Sequence, residues 1–114
     1  MRQDLRAVRE RCRIAQDGLC YYCRQPMWSG RDPAAFCASF RVSPRRAALF
    51  RCSAEHLTPR SAGSSDEPAN IVAACCFCNR TRHLAARPRD PESYARFVQR
   101  RLAAGRWERL PLAH

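Results

Sequence analysis

The sequence predicts an α+β fold, a single domain over residues 1–114 with a core at 18–86 and flanking helices at about 3–16 and 91–104. Three observations point to it. Two Cys-x-x-Cys pairs, Cys20/Cys23 and Cys75/Cys78, lie far apart in sequence, as the two halves of one clasp would. Two short apolar runs near the second pair read as strands, and the chain begins and ends in segments whose apolar residues recur every three or four positions. A chain of 114 residues leaves roughly a third of its unfolded surface exposed after folding, so its core is thin. Eight cysteines beside three histidines are therefore read first as staples.

In the first helix, Leu5, Val8, Cys12 and Ala15 form the apolar stripe, Arg6, Arg9 and Arg13 fall outside it, and Gly18 stands where a left-handed cap belongs. Cys12 lies in the stripe and is expected to pack in the core as a small hydrophobe. Residues 25–46 contain Pro26, Gly30, Pro33 and Pro44 and predict loops and short pieces. Residues 47–54 read as a strand leading into Glu55-His56, and 58–68 as a loop rich in proline, glycine and serine. Residues 71–74 are a second short strand. Residues 77–86 have helical character, with Pro88 as the stop. The last helix opens with Asp90 as cap and Pro91 at its first position, carries Tyr94, Phe97, Val98 and Leu102 on one face, and ends at Gly105. Arg96 and Arg100 point away from that face, where they could touch a phosphate backbone or simply face water, the favoured reading.

The net charge is +11, and all 21 basic residues are arginine. A planar guanidinium makes paired hydrogen bonds to phosphate oxygens, so a polyanion is the expected partner. Charge alone names no reaction. The first residues carry charge with no apolar stretch behind them, and no run approaches the roughly 18 apolar residues of a membrane span. These features predict a cytoplasmic protein without a membrane partner. In a reducing cytosol thiols stay free, so Cys-x-x-Cys spacings read as metal sites before disulfides.

Cys20, Cys23, Cys75 and Cys78 together supply four thiolates, the ligand set of a closed tetrahedral structural Zn2+ site. A two-residue gap lets both sulfurs of a pair reach one ion at about 2.3 Å. Cys76 could in principle replace Cys75, although Cys75 and Cys78 keep the better spacing. Cys37 and Cys52 are left over; a second site or a mutual bond is open to them, but packing thiols is the favoured role. With all four positions filled by protein, this metal would hold the fold and leave no place for a reacting water.

Between and beyond the pairs stand Glu55-His56-Leu57-Thr58-Pro59-Arg60, then Asn70, then Cys78-Asn79-Arg80-Thr81-Arg82-His83. An acid followed by histidine at a strand end, an asparagine downstream, and Cys-x-x-Cys-Asn after it resemble the HNH, or ββα-metal, nucleases in their four-cysteine branch. The resemblance covers Cys20 through His83. It implies a small ββα-metal, treble-clef-like core carrying N- and C-terminal helices, and an endonuclease that leaves 5′-phosphate and 3′-hydroxyl ends.

The chemistry such a family performs needs a base for the attacking water and stabilisation of charge at phosphorus and at the leaving oxygen. An imidazole with an unperturbed pKa near 6.5 suits the first task, and His56 matches the family's general base. A divalent cation, Mg2+, Mn2+ or Ni2+, serves the second as Lewis acid. By resemblance Glu55 and Asn79 hold it, with His83, one turn beyond Asn79, as third contact. His83 reads equally as a helix-terminal histidine meeting the dipole. Asn70 matches the middle residue that bridges the loop and orients the base.

Arg60, Arg80 and Arg82 surround these residues in sequence and are expected to hold phosphates beside the cut. Three departures stand out. Glu55 replaces the commoner aspartate, the loop after the histidine has Gly63-Ser64-Ser65 in place of paired glycines, and residues 28–46 form an insert able to serve substrate choice or dimerisation. Double-stranded DNA is the expected substrate, and cutting both strands with one site per chain would favour a homodimer or sequential nicks. The alternatives are a non-catalytic zinc-stapled module that binds nucleic acid, and a zinc-stapled protein-interaction domain.

Overall fold

The computed structural model describes residues 4–59 and 66–111. Helix α1, Leu5–Ala15, starts where the Asp4 side chain accepts a hydrogen bond from Arg6 N, and it is closed by Asp17 and Gly18, both at positive φ. Residues 19–26 then form a tight hairpin. Cys20 N donates to Gln25 O, Arg24 N to Cys20 O, and Arg24 takes a left-handed φ of 63° to turn the chain.

The insert folds into short helices α2, Ala34–Phe40, and α3, Pro44–Ala47, followed by a 3-10 turn at Ala48–Phe50. The strand expected at residues 47–54 therefore starts late. Ser43 caps α3 by accepting Arg46 N, Pro44 sits at the first helical position, and the Ala-Ala-Leu run continues as helix until Arg51 turns extended. Strand β1 is Cys52–His56. After a 3-10 turn at Pro68–Asn70, strand β2, Ile71–Cys75, returns antiparallel to it, pairing Cys52 with Cys75 and His56 with Ile71.

Helix α4, Cys76–Leu84, leaves β2 directly. The Cys75 side chain caps it by accepting Cys78 N, so the second cysteine pair straddles a helix start. Helix α5, Pro91–Ala103, begins with the expected Asp90 cap, which accepts Ser93 N at 2.8 Å, and ends at Gly105 with φ 71°. The outcome is a small α+β molecule with a two-stranded sheet and helices at both ends, as the sequence predicts.

Helix α1 covers one side of the sheet, where the Gln16 carboxamide accepts Ala73 N and donates to Ala73 O. The side chain thus extends the sheet edge by one partner. Cys12 is half-buried and its thiol reaches Ile71 O at 3.3 Å, close to the core role expected for it. Apolar packing forms two clusters. One gathers the cysteine pairs, Tyr22, Met27 and the Tyr94, Val98 and Leu102 face of α5. The other closes the insert, with Phe36, Phe50 and Leu110 packed beside Trp28 and Phe40.

Candidate functional site

The hairpin brings Cys20 and Cys23 against Cys75 and Cys78, all four buried, with their sulfurs within 4.8 Å of one another. A tetrahedral ion bound at about 2.3 Å places its sulfurs about 3.8 Å apart, so these residues could hold zinc with little adjustment. Among the described residues this is the one group of three or more His, Cys, Asp or Glu side chains close enough to share an ion. Cys76 stands outside it. Tyr22 N and Cys75 N point at Cys20 Sγ, Cys78 N at Cys75 Sγ, and the Trp107 indole at Cys78 Sγ, each at 3.3–3.4 Å. Such donors favour thiolate over thiol.

The acid–base character of the four is divided between the two pairs. Burial works against ionisation of Cys20, but hydrogen bonds from Cys23, Cys75 and Cys78 hold it well below the ordinary thiol range, and Cys23 is lowered as well. Cys75 and Cys78 are pushed upward, chiefly by their contacts with Cys20 and Cys23. Four thiolates cannot crowd together in a buried space without a compensating cation, which is what a divalent metal supplies. Cys52 is a buried thiol raised to about 11 by desolvation, and it pairs with Cys75 across the sheet as packing.

At the other end of β1, Glu55 is fully buried while its neighbour His56 retains 13% side-chain exposure, because successive strand residues face opposite ways. Glu55 Oε2 accepts hydrogen bonds from the Tyr22 hydroxyl at 3.0 Å and from Arg82 Nη1 at 3.1 Å. Its Oε1 lies 2.8 Å from His83 Nε2. His83 thus contacts the acid from one turn beyond Asn79, and its side chain keeps 30% exposure. The Asn79 amide nitrogen donates to Ser53 Oγ and Ala54 O, which anchors α4 to β1. Its carbonyl oxygen accepts no bond among the described residues.

His56 Nε2 lies 2.7 Å from Asp66 Oδ1. Asn70 accepts Thr58 N at 2.8 Å with its side-chain oxygen and donates to Thr58 O at 3.1 Å, while Leu57 N donates to Asn70 O. One carboxamide therefore closes the loop that follows His56 on both backbone groups of Thr58. A backbone so held restricts the directions open to the imidazole.

Arg82 departs from the sequence expectation. Only 3% of it is exposed, and its guanidinium donates to Glu55, to the carbonyls of His56 and Leu57, and to Arg89 O. Those donors are spent on the backbone around the site, so Arg82 braces the strand end and is not placed to hold phosphate. Arg80 is exposed on α4, and Arg60 lies outside the described residues. Two residues escaped sequence reasoning. Tyr22 reaches Glu55 from inside the first cysteine pair, and no spacing links positions so far apart. Asp66 carries a weak signal, an acid placed downstream of a histidine in a loop.

Residues 46–84 match the family model described as HNH endonuclease. No curated protein and no solved structure matches the chain. The matched segment contains Glu55, His56, Asn70, Asn79 and His83 together with the second cysteine pair.

Proposed function

From an HNH endonuclease segment at residues 46–84 joined to a four-cysteine cluster that could bind zinc, we propose that this chain is a metal-dependent endonuclease acting on double-stranded DNA. The observation that supports it most is the end of β1, where a buried carboxylate and a part-exposed imidazole sit on consecutive residues. A general base must be accessible to water, and His56 is. His56, oriented by the Asn70 clamp and paired with Asp66, would take the proton from the attacking water. Asp66 in turn would stabilise the imidazolium that results.

Glu55, the carbonyl oxygen of Asn79 and the His83 imidazole would hold one divalent cation, and they form an oxygen and nitrogen set that fits Mg2+, Mn2+ or Ni2+. That ion, when bound, supplies Lewis-acid stabilisation of the scissile phosphate and the leaving oxygen. Tyr22 and Arg82 would keep the Glu55 side chain aimed while it is buried. Exposed Arg80 is suited to a flanking phosphate. Eight unpaired thiols suit a reducing compartment, and no helix among the described residues is long and apolar enough to cross a membrane.

A second reading has one observation in its favour. Both oxygens of Glu55 already have protein partners, as in a module that binds nucleic acid without cutting it. Incubation of supercoiled plasmid with zinc-loaded protein and added magnesium, manganese or nickel separates the two. The nuclease reading expects ion-dependent nicking that disappears in His56→Ala. Binding without nicking under every ion would leave the second reading in its place.

A further inference from the structure

Helix α5 and the first cysteine hairpin lie outside the matched segment, yet they build a basic surface beside it. Tyr22, Arg24, Ala95, Arg96, Gln99 and Arg100 line a depression of about 390 Å³. A second depression shares Arg24 and Ala95 with it and runs to Leu57, the residue after His56. Arg24 is thus the link between the α5 arginines and the strand end. We propose that this surface is a seat for the phosphate backbone of the nucleic acid, leading into the site; the inference rests on the reading of the chain as a nucleic-acid enzyme and adds to it a binding path.

Three features distinguish the surface from scattered solvated charge. Arg96 and Arg100 are four residues apart on α5 and so project side by side, as sequence alone shows, but Arg24 joins them only in the fold. The supporting elements are joined by hydrogen bonds. The Arg24 backbone is held in the hairpin, where its amide N–H donates to Cys20 O, and α5 is tied to the same hairpin through Gln99 Nε2 donating to Tyr22 O at 2.8 Å. Finally, the carboxylates nearby already have partners. Asp90 and Glu92 line the second depression, Asp90 accepting Ser93 N and Glu92 pairing with Arg96 at 3.7 Å. The Glu92 and Arg96 side chains are 87% and 62% exposed, and such an ion pair exchanges readily for a phosphate.

An anionic backbone would therefore follow Arg24 and Arg100, take Arg96 from Glu92, and pass the start of α5 toward Leu57. Arginine on both the hairpin and the helix suits phosphate, since each planar fork spans two oxygens of one group.

The test uses the zinc-loaded full chain and a short labelled DNA duplex, with binding followed by fluorescence anisotropy across a salt series free of added divalent cation. The triple variant Arg24→Gln, Arg96→Gln, Arg100→Gln is compared with a charge-matched control on the insert, Arg31→Gln, Arg41→Gln, Arg45→Gln. Glutamine keeps a polar, unbranched side chain without the charge, and the backbone at the left-handed Arg24 is asked to hold no bulkier residue. Zinc content and melting temperature should match the native chain in both. The groove triple should bind at least roughly tenfold more weakly and flatten the slope of log K against log salt by about two to three units, near one for each phosphate that is no longer neutralised. The control should change the slope by less than about one unit. Glu92→Gln should tighten binding.

Equal slopes for the groove and control triples would overturn the proposal. So would a groove triple that keeps its duplex affinity but loses binding to polyglutamate, which would assign the surface to an acidic protein. A native chain that fails to nick plasmid while the groove triple still loses affinity supports the groove and removes the catalytic reading. A native chain that nicks while the groove triple binds undiminished removes the groove alone.

Discussion

The two ends of the β1–β2 sheet solve different problems. At one end four sulfurs face each other in a buried space closed by backbone N–H groups and an indole. At the other, a buried carboxylate depends on groups from two other elements: Tyr22 of the hairpin, and Arg82 and His83 of α4, with His56 at the solvent edge of the same strand. The clasp is closed and chemically uniform; the strand end is heterogeneous and partly open. That difference teaches where each can fail. Loss of one sulfur should undo the fold, whereas loss of one group at the strand end should uncouple stability from activity.

The largest expected effect is at the clasp. Cys20→Ser, or extraction of the metal by a strong chelator, should remove a binding free energy on the order of 10 kcal/mol, and with it cooperative folding. Metal analysis and a thermal melt would show this, and a variant that keeps both zinc and its melting temperature would break the comparison. Because binding requires the thiols to give up protons, zinc should also be released as pH falls, not as it rises.

Next is Arg82→Met, which leaves the buried Glu55 carboxylate without its cation and should cost about 3–5 kcal/mol, read as a shifted denaturant midpoint with zinc retained. A phosphate-binding Arg82 would instead lower DNA affinity with little loss of stability. His56→Ala should reverse that pattern. Nicking should fall by at least roughly a hundredfold, about 2.7 kcal/mol of barrier, while zinc content and melting temperature stay near native. The smallest effect is expected from Tyr22→Phe, which removes one hydrogen bond to a buried carboxylate and should cost roughly 2 kcal/mol of stability. Added Mg2+ or Mn2+ should then be needed at higher concentration for nicking, a change that a purely structural tyrosine would not produce.

Local chemistry explains which elements are legible in the sequence. Asp90-Pro91 and Gly105 bound α5 in the sequence as they do in the fold, because capping and left-handed turns are decided within a few residues. The same holds for Gly18 at the end of α1. The start of β1 falls later than expected because alanine and leucine after Ser43-Pro44 follow the helix begun there, a choice between two locally acceptable states. In sequence Cys76 competes with Cys75 as the partner of Cys78, and the side-chain directions at the start of α4 decide for Cys75.

Amino-acid identity alone determined the clasp, the acid–imidazole pair at a strand end and the surplus of arginine, since each is a matter of residue type and short spacing. Only the tertiary structure decided what each arginine does. Arg82 turns inward to a carboxylate and three carbonyls, while Arg24, remote in sequence from Arg96 and Arg100, comes to share a depression with them. A guanidinium is the same donor fork wherever it stands, so its partner is set by which distant acceptors the fold brings within about 3 Å, and that distance is not written in any local stretch of the chain.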